Sequence, residues 1–205
     1  MRVALIDYHA GNLTSVKKAF AAVGADLFVP AEPAGLDDAG AIVVPGVGHF
    51  GATGTLAHAW TDRIRASIAA GRPLLGICLG MQWLFEGSAE APDRPGLGLL
   101  AGHCYRLPSE SNGTTVKIPH VGWNALDIRR GDSIVDGVTS GSQVYFTHSF
   151  AAPTTADTVA VTVHGRPFAA VVQRGRVAGV QFHPEKSGDA GLTVLRNFLR
   201  LASGY

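Results

Sequence analysis

Between Arg2 and Phe85 short apolar runs alternate with helical stripes, and this alternation restricts the possible folds more than any other feature of the chain. Arg2–Asp7, Ala25–Val29, Ala41–Val44 and Pro73–Ile77 are too short for helices and read as buried strands. Leu13, Val16, Phe20 and Val23 lie on one face of a helix. Leu56, Trp60, Ile64 and Ile68 recur every fourth residue and mark a second helix that stops at Gly71. A third helix is expected over Gly80–Phe85. Strands and helices taken in turn predict a parallel sheet with flanking helices.

The second half follows another pattern. Glu86–Gly98 is a Pro/Gly-rich connection. His103–Leu107 and Thr115–Pro119 flank Asn112-Gly113, a turn signal that predicts a hairpin. Trp123–Ile128, Gln143–Thr147 and Thr158–His164 read as strands, and Phe168–Gln173 and Arg176–Phe182 as a hairpin around Arg174-Gly175. A last helix is expected from about Ala190 to Ala202. The fold class is therefore α/β, with a mixed, largely parallel central sheet and antiparallel strands added by the second half.

A chain of 205 residues favours one domain, here 1–205, and is long enough to need no metal or disulfide staple. Hydrophobic residues are 46% and charged residues only 16%, which excludes a solvated, disordered chain. A net charge of +1 with four scattered lysines offers no basic stripe, so a nucleic-acid partner is not expected. No apolar run is long enough for a signal peptide or a membrane span, so a cytoplasmic protein with no membrane partner is expected. Cys78 and Cys104 form no CxxC pair, and reduced thiols are expected of both.

Gly76-Ile77-Cys78-Leu79-Gly80 is the sharpest local signal. It follows an apolar strand and opens a helix, the pattern of a nucleophile elbow with cysteine in the reactive place. Glycines on both sides remove side chains that would crowd the turn. The helix N-terminus favours thiolate. A buried structural cysteine is the alternative. Cys104, in a hairpin strand, reads as a small buried hydrophobe.

A cysteine nucleophile needs a base, and His183 stands out among eight histidines. It ends an apolar run, and Pro184 holds it extended. Residues two apart then face the same side, so Glu185 can orient the ring. A surface His-Pro-Glu turn is the competing reading. His58 is expected inside a helix and solvated. For an oxyanion the candidate donors are the N–H of Leu79 and backbone groups of the Gly46-Val47-Gly48 loop, Val47 among them. That loop lacks the residues of a phosphate loop. No His/Cys/carboxylate set has ligand spacing, so neither a metal site nor a cofactor is expected.

Taken together, Pro45-Gly46-Val47-Gly48, Gly76-Ile77-Cys78-Leu79-Gly80-Met81-Gln82 and Phe182-His183-Pro184-Glu185 resemble the class I, triad-type glutamine amidotransferases. Asp7-Tyr8-His9-Ala10-Gly11-Asn12-Leu13, Pro119-His120-Val121-Gly122-Trp123-Asn124, Val144-Tyr145-Phe146-Thr147-His148-Ser149 and Glu185-Lys186-Ser187 narrow the resemblance to one branch, the glutaminase subunits of imidazole glycerol phosphate synthases. The resemblance implies hydrolysis of L-glutamine through a γ-glutamyl thioester. Cys78 would be the nucleophile, His183 the proton carrier and Glu185 its orienter. Gln82 and backbone groups of Gly48, His148 and Ser149 would contact the substrate. The implied partner is a separate (β/α)8 cyclase of histidine biosynthesis, in a heterodimer, with Asn12, Trp123, Asn124 and Lys186 near the interface. Packing would equally explain Trp123.

Overall fold

In a computed structural model, residues 2–10 and 13–203 are described. Four strands, β1 (Arg2–Leu5), β2 (Asp26–Phe28), β3 (Ala41–Val44) and β4 (Leu74–Ile77), pair in parallel in the order β2-β1-β3-β4. The sheet continues through Val177–Val180, parallel to β4, and then through Arg166–Arg174, Thr158–His164 and Asp127–Ile128, all antiparallel. Eight strands thus form one mixed sheet, with the parallel half from the first part of the chain and the antiparallel part added later, as the sequence predicts.

Helices cover both faces of the parallel strands, which explains their unbroken apolar runs: every residue of β3 and β4 is buried. On one face lie α1 (Leu13–Ala22) and, at the chain's end, the helix Gly188–Ser203, joined by an edge-to-face contact of Phe20 and Phe198 at 6.4 Å. On the other lie α2 (Ala59–Ala69) and α3 (Leu79–Trp83).

Three expectations are corrected. The stripe from Leu56 to Ile68 is not one helix: Phe50–Leu56 is a 3-10 helix, and α2 begins only after His58, which takes φ 54° and is exposed. His58 therefore stands at the bend between two helices and not inside one. Asn112 and Gly113 do make a turn, with φ 50° and 73°, but it joins only Glu110–Ser111 to Thr114–Thr115. His103–Arg106 pairs instead with Gly87–Ser88 and Phe150–Ala151. The Trp123–Ile128 run is two strands. His120–Ala125 pairs with Gln143–His148 in a ribbon outside the main sheet, buried Leu126 breaks the alternation, and Asp127–Ile128 forms the sheet's border.

Candidate active site

The parallel pairing of β4 with Val177–Val180 brings the ends of both strands together. Cys78 follows β4 directly and sits at φ 52°, ψ −106°, a conformation that L side chains avoid. Its N–H donates to the Val180 carbonyl at 2.8 Å, so the strained residue is tied to the neighbouring strand. The flanking glycines have a steric cause. A Cβ on Gly76 would lie 2.6 Å from the Gly80 carbonyl oxygen, and one on Gly80 would collide with the Val44 carbonyl oxygen. The helix beyond the elbow is only five residues long, so its dipole is a weaker source of positive charge than the sequence suggests.

The stronger source is His183. It is buried, and its Nδ1 lies 2.8 Å from Glu185 Oε1. Burial works against a charged ring, but the Cys78 sulfur and the Glu185 carboxylate outweigh it and push the His183 pKa up to about 10. The surroundings of the ring thus favour its protonated form. His183 Nε2 and Glu185 Oε2 are buried and make no hydrogen bond. The sulfur's own contacts are the Thr147 carbonyl at 4.0 Å and the Gln181 amide nitrogen at 3.6 Å.

Cys78 opens into a cleft of about 290 Å³. Gly48, Gln82, His148 and Ser149, the four expected substrate contacts, all line it with Leu79. Gln82 donates to the Phe150 carbonyl at 2.7 Å and to Gln181 Oε1 at 3.0 Å. The His148 ring is engaged elsewhere: Nδ1 donates to the Phe150 carbonyl at 2.8 Å, which leaves Nε2 to accept from His120 Nδ1 at 3.0 Å. Burial keeps both rings neutral, lowering His120 to about 4 and His148 to about 3. Both ring nitrogens of His148 are thus engaged within the protein.

The two N–H groups expected to serve an oxyanion are not free. The Leu79 N–H donates to the Gly46 carbonyl at 3.3 Å, and the Val47 N–H to the Ala10 carbonyl at 3.1 Å. The Gly46 carbonyl and the Val47 N–H belong to one peptide unit. Rotation of that single peptide would release Leu79 and re-aim Val47. The buried Tyr8 hydroxyl lies against Gly46 with no hydrogen-bond partner, where any Cβ would strike it, and burial followed by the Cys78 charge pushes its pKa up.

Two residues escaped the sequence reading. Glu90 is the one carboxylate lining the cleft, where its Oε2 accepts from the Phe50 N–H at 2.8 Å. It lies in the Pro/Gly-rich connection, where no periodicity singles it out. Gln181 stands in a bend just past the strand Val177–Val180, and no spacing in the sequence singles it out; Glu185 itself meets the His183 ring from a 3-10 turn, Pro184–Lys186, and not through the extended alternation that the sequence predicts.

Trp123 is not core: it is 57% exposed. It stacks edge-on with Tyr145 at 6.0 Å, and Lys186 Nζ lies 5.5 Å above the Tyr145 ring. Asn124 turns inward, bonding Val163 and His120. Asn12 lies outside the described residues. Cys104 is buried, with burial raising its pKa, and both cysteines are free thiols. Among the described residues no group of three His, Cys, Asp or Glu side chains is placed to hold a metal ion, and no helix is long and apolar enough to cross a membrane.

A positive-φ cysteine after a parallel strand, a buried His–Glu pair after its neighbour and a small polar cleft define a thiol enzyme of the amidotransferase type. The family model "Glutamine amidotransferase class-I" matches residues 4–202, and the chain belongs to that family. Within it, the chain closely resembles imidazole glycerol phosphate synthase subunit HisH. The protein of that name from Symbiobacterium thermophilum is 44% identical over 207 residues, covering 98% of this chain and 94% of that one. The Pyrococcus furiosus HisH is 41% identical over 203 residues, covering 98% and 99%. In fold the chain is similar to a crystal structure of a glutamine amidotransferase, with a TM-score of 0.74 at 21% identity and 98% of each chain covered. The glutaminase domain of Trypanosoma brucei CTPS gives 0.65 at 15% identity, covering 100% and 94%.

Proposed function

We propose that the chain is the glutaminase subunit of an imidazole glycerol phosphate synthase. It works in the cytoplasm, hydrolyses L-glutamine to glutamate and ammonia, and passes the ammonia to a (β/α)8 cyclase subunit in a heterodimer. The observation that carries this reading is the meeting of strained Cys78 with the buried His183–Glu185 pair at two adjacent strand ends, in a chain 44% identical to a HisH.

The chemistry follows from the groups present. The Cys78 thiolate attacks the carboxamide carbon of glutamine. His183 gives its proton to the departing nitrogen, and ammonia leaves a γ-glutamyl thioester. The neutral ring then takes a proton from water, which attacks the thioester. The C–S bond breaks with its electron pair on sulfur, and glutamate and the starting ion pair are restored. Glu185 holds the ring and balances its charge. Gln82 and the backbone at Gly48, His148 and Ser149 hold the substrate, and the Glu90 carboxylate complements its α-ammonium group. The Val47 and Leu79 N–H groups serve the oxyanion once the Gly46–Val47 peptide has turned. In the resting arrangement both are occupied, so turnover by the chain alone is slow.

The docking face is the outer side of the ribbon and the rim beside it. Val121 and Trp123 are exposed there, Thr147 opposite Val121 lines the cleft, and Lys186 adjoins Glu185. Ammonia set free in neutral water is protonated and lost as a nucleophile, so release next to the acceptor gives hydrolysis its use. The test measures glutamate release by the chain alone, with the cyclase, and with the cyclase plus its nucleotide substrate. Rising release across the three supports the reading. Full activity in isolation, or no complex on a sizing column, rejects it.

A further inference from the structure

We propose that Gln181 is a positioning residue for the Cys78 sulfur: its side-chain amide donates to that sulfur and holds it as the thiolate between Gln181 and His183. The inference rests on the reading of Cys78 as nucleophile.

Gln181 is a fully buried amide, 0% exposed, so both ends of its side chain need partners. Its Nε2 lies 3.6 Å from Cys78 Sγ. Its orientation is fixed from the far side, since Oε1 accepts from Gln82 Nε2 at 3.0 Å and Gln82 Nε2 is itself committed to the Phe150 carbonyl at 2.7 Å. Turning the Gln181 amide over would set two donors against each other and an oxygen against the sulfur. The backbone is equally fixed. The Gln181 N–H donates to Ala170 at 2.9 Å, and the preceding Val180 carbonyl accepts from the Cys78 N–H at 2.8 Å.

The environment suits an ionised sulfur. Gln181 offers a donor, which a thiolate accepts more strongly than a thiol does. The Thr147 carbonyl stands 4.0 Å from the sulfur, long for an S–H bond. Gln181 and His183 both follow the end of the strand Val177–Val180 and reach the sulfur from that side. A donor on sulfur serves two moments of turnover: it stabilises the thiolate before attack, and it stabilises the sulfur again when that atom takes the electron pair of the breaking thioester C–S bond. Gln82, which lines the cleft, buttresses this donor through the shared hydrogen bond.

The test is alkylation of Cys78 in the full chain by iodoacetamide, read by mass spectrometry across pH, since only thiolate reacts. Gln181→Met keeps length without the donor. Labelling at neutral pH should slow by roughly tenfold, the usual size for a lost bond to a charged group, and should match wild type in strongly alkaline buffer. Gln181→Glu keeps the acceptor for Gln82 but faces the sulfur with a carboxylate, and should slow neutral labelling further. A folded variant labelled at the wild-type rate overturns the proposal, as does slowing that persists unchanged in alkali, which would signal blocked access. Failure of both variants to fold also overturns it, leaving Gln181 a packing role. If wild-type Cys78 is labelled no faster than Cys104, the nucleophile reading itself falls, a result distinct from all of these.

Discussion

Glu185 bonds the His183 ring through one oxygen and keeps the other buried without a partner. Glu185→Gln keeps the size but removes the charge that sustains imidazolium. Turnover should drop by roughly 10²–10⁴-fold with KM within a few-fold, since the loss falls on proton transfer and ring orientation. Steady-state glutaminase assays with the activated complex decide it, and near-normal turnover would reduce the triad to a Cys–His pair. Gly80 tests the elbow in the same way. A methyl there meets the Val44 carbonyl, part of a central strand that cannot move aside. Gly80→Ala should cost about 3 kcal/mol, visible as a lowered urea midpoint, and an unchanged midpoint would mean that the elbow relaxes freely.

At the scale of elements, the ribbon of His120–Ala125 and Gln143–His148 presents one face inward and the other to solvent. His120 and His148 belong to the first, Val121 and Trp123 to the second. Trp123→Ala should therefore alter the isolated chain's stability by no more than about 0.5 kcal/mol yet weaken its complex with the cyclase by about 2 kcal/mol or more. Calorimetric titration and thermal unfolding measure the two separately, and unaltered affinity would remove Trp123 from the interface. The ribbon also shows where sequence reading stops. β1 to β4 and the elbow are legible because each is written in neighbouring residues, as an apolar run or a glycine spacing; the His183–Glu185 pair is legible as a spacing, but a 3-10 turn and not a same-face step brings Glu185 to the ring. The ribbon is not legible, because Trp123–Ile128 has strand character throughout and only tertiary pairing divides it at Leu126. Asn112-Gly113 specifies a turn but not how far its strands run. Glu90 joins the cleft solely through the path of a long connection.

For the molecule as a whole, three histidines set opposing pH limits. His120 and His148 are buried neutral, with pKa values lowered to about 4 and about 3 from 6.5. As pH falls below about 6.5 the unfolded chain takes up protons that the folded chain refuses, so stability declines toward pH 4 and 3. The two rings hydrogen-bond one another, so they titrate as a coupled pair and their contributions do not simply add. His183 acts in the other direction. Its pKa is raised to about 10, so its contribution is complete below about 6.5 and is lost as pH climbs toward 10. Urea unfolding across pH should give a maximum near neutrality. His120→Phe, which retains a ring stacked on Phe146, should flatten the acid limb, and an acid limb of undiminished slope would assign it to the carboxylates instead.

The borders of the main sheet carry one more consequence. On one side it ends in the three residues of β2, on the other in the two residues Asp127–Ile128. A long open border would present a row of unpaired N–H and C=O groups to any strand that drifted by, including the same border of another copy. Here the longest antiparallel strand, Arg166–Arg174, has neighbours on both sides, and the outer side of Thr158–His164, which Asp127–Ile128 pairs only at Ala160 and Val161, is further occupied by bonds from the Arg129 N–H to Val159 and from Asn124 to Val163. Short borders and cover of this kind leave little for a fibrous stack to template on.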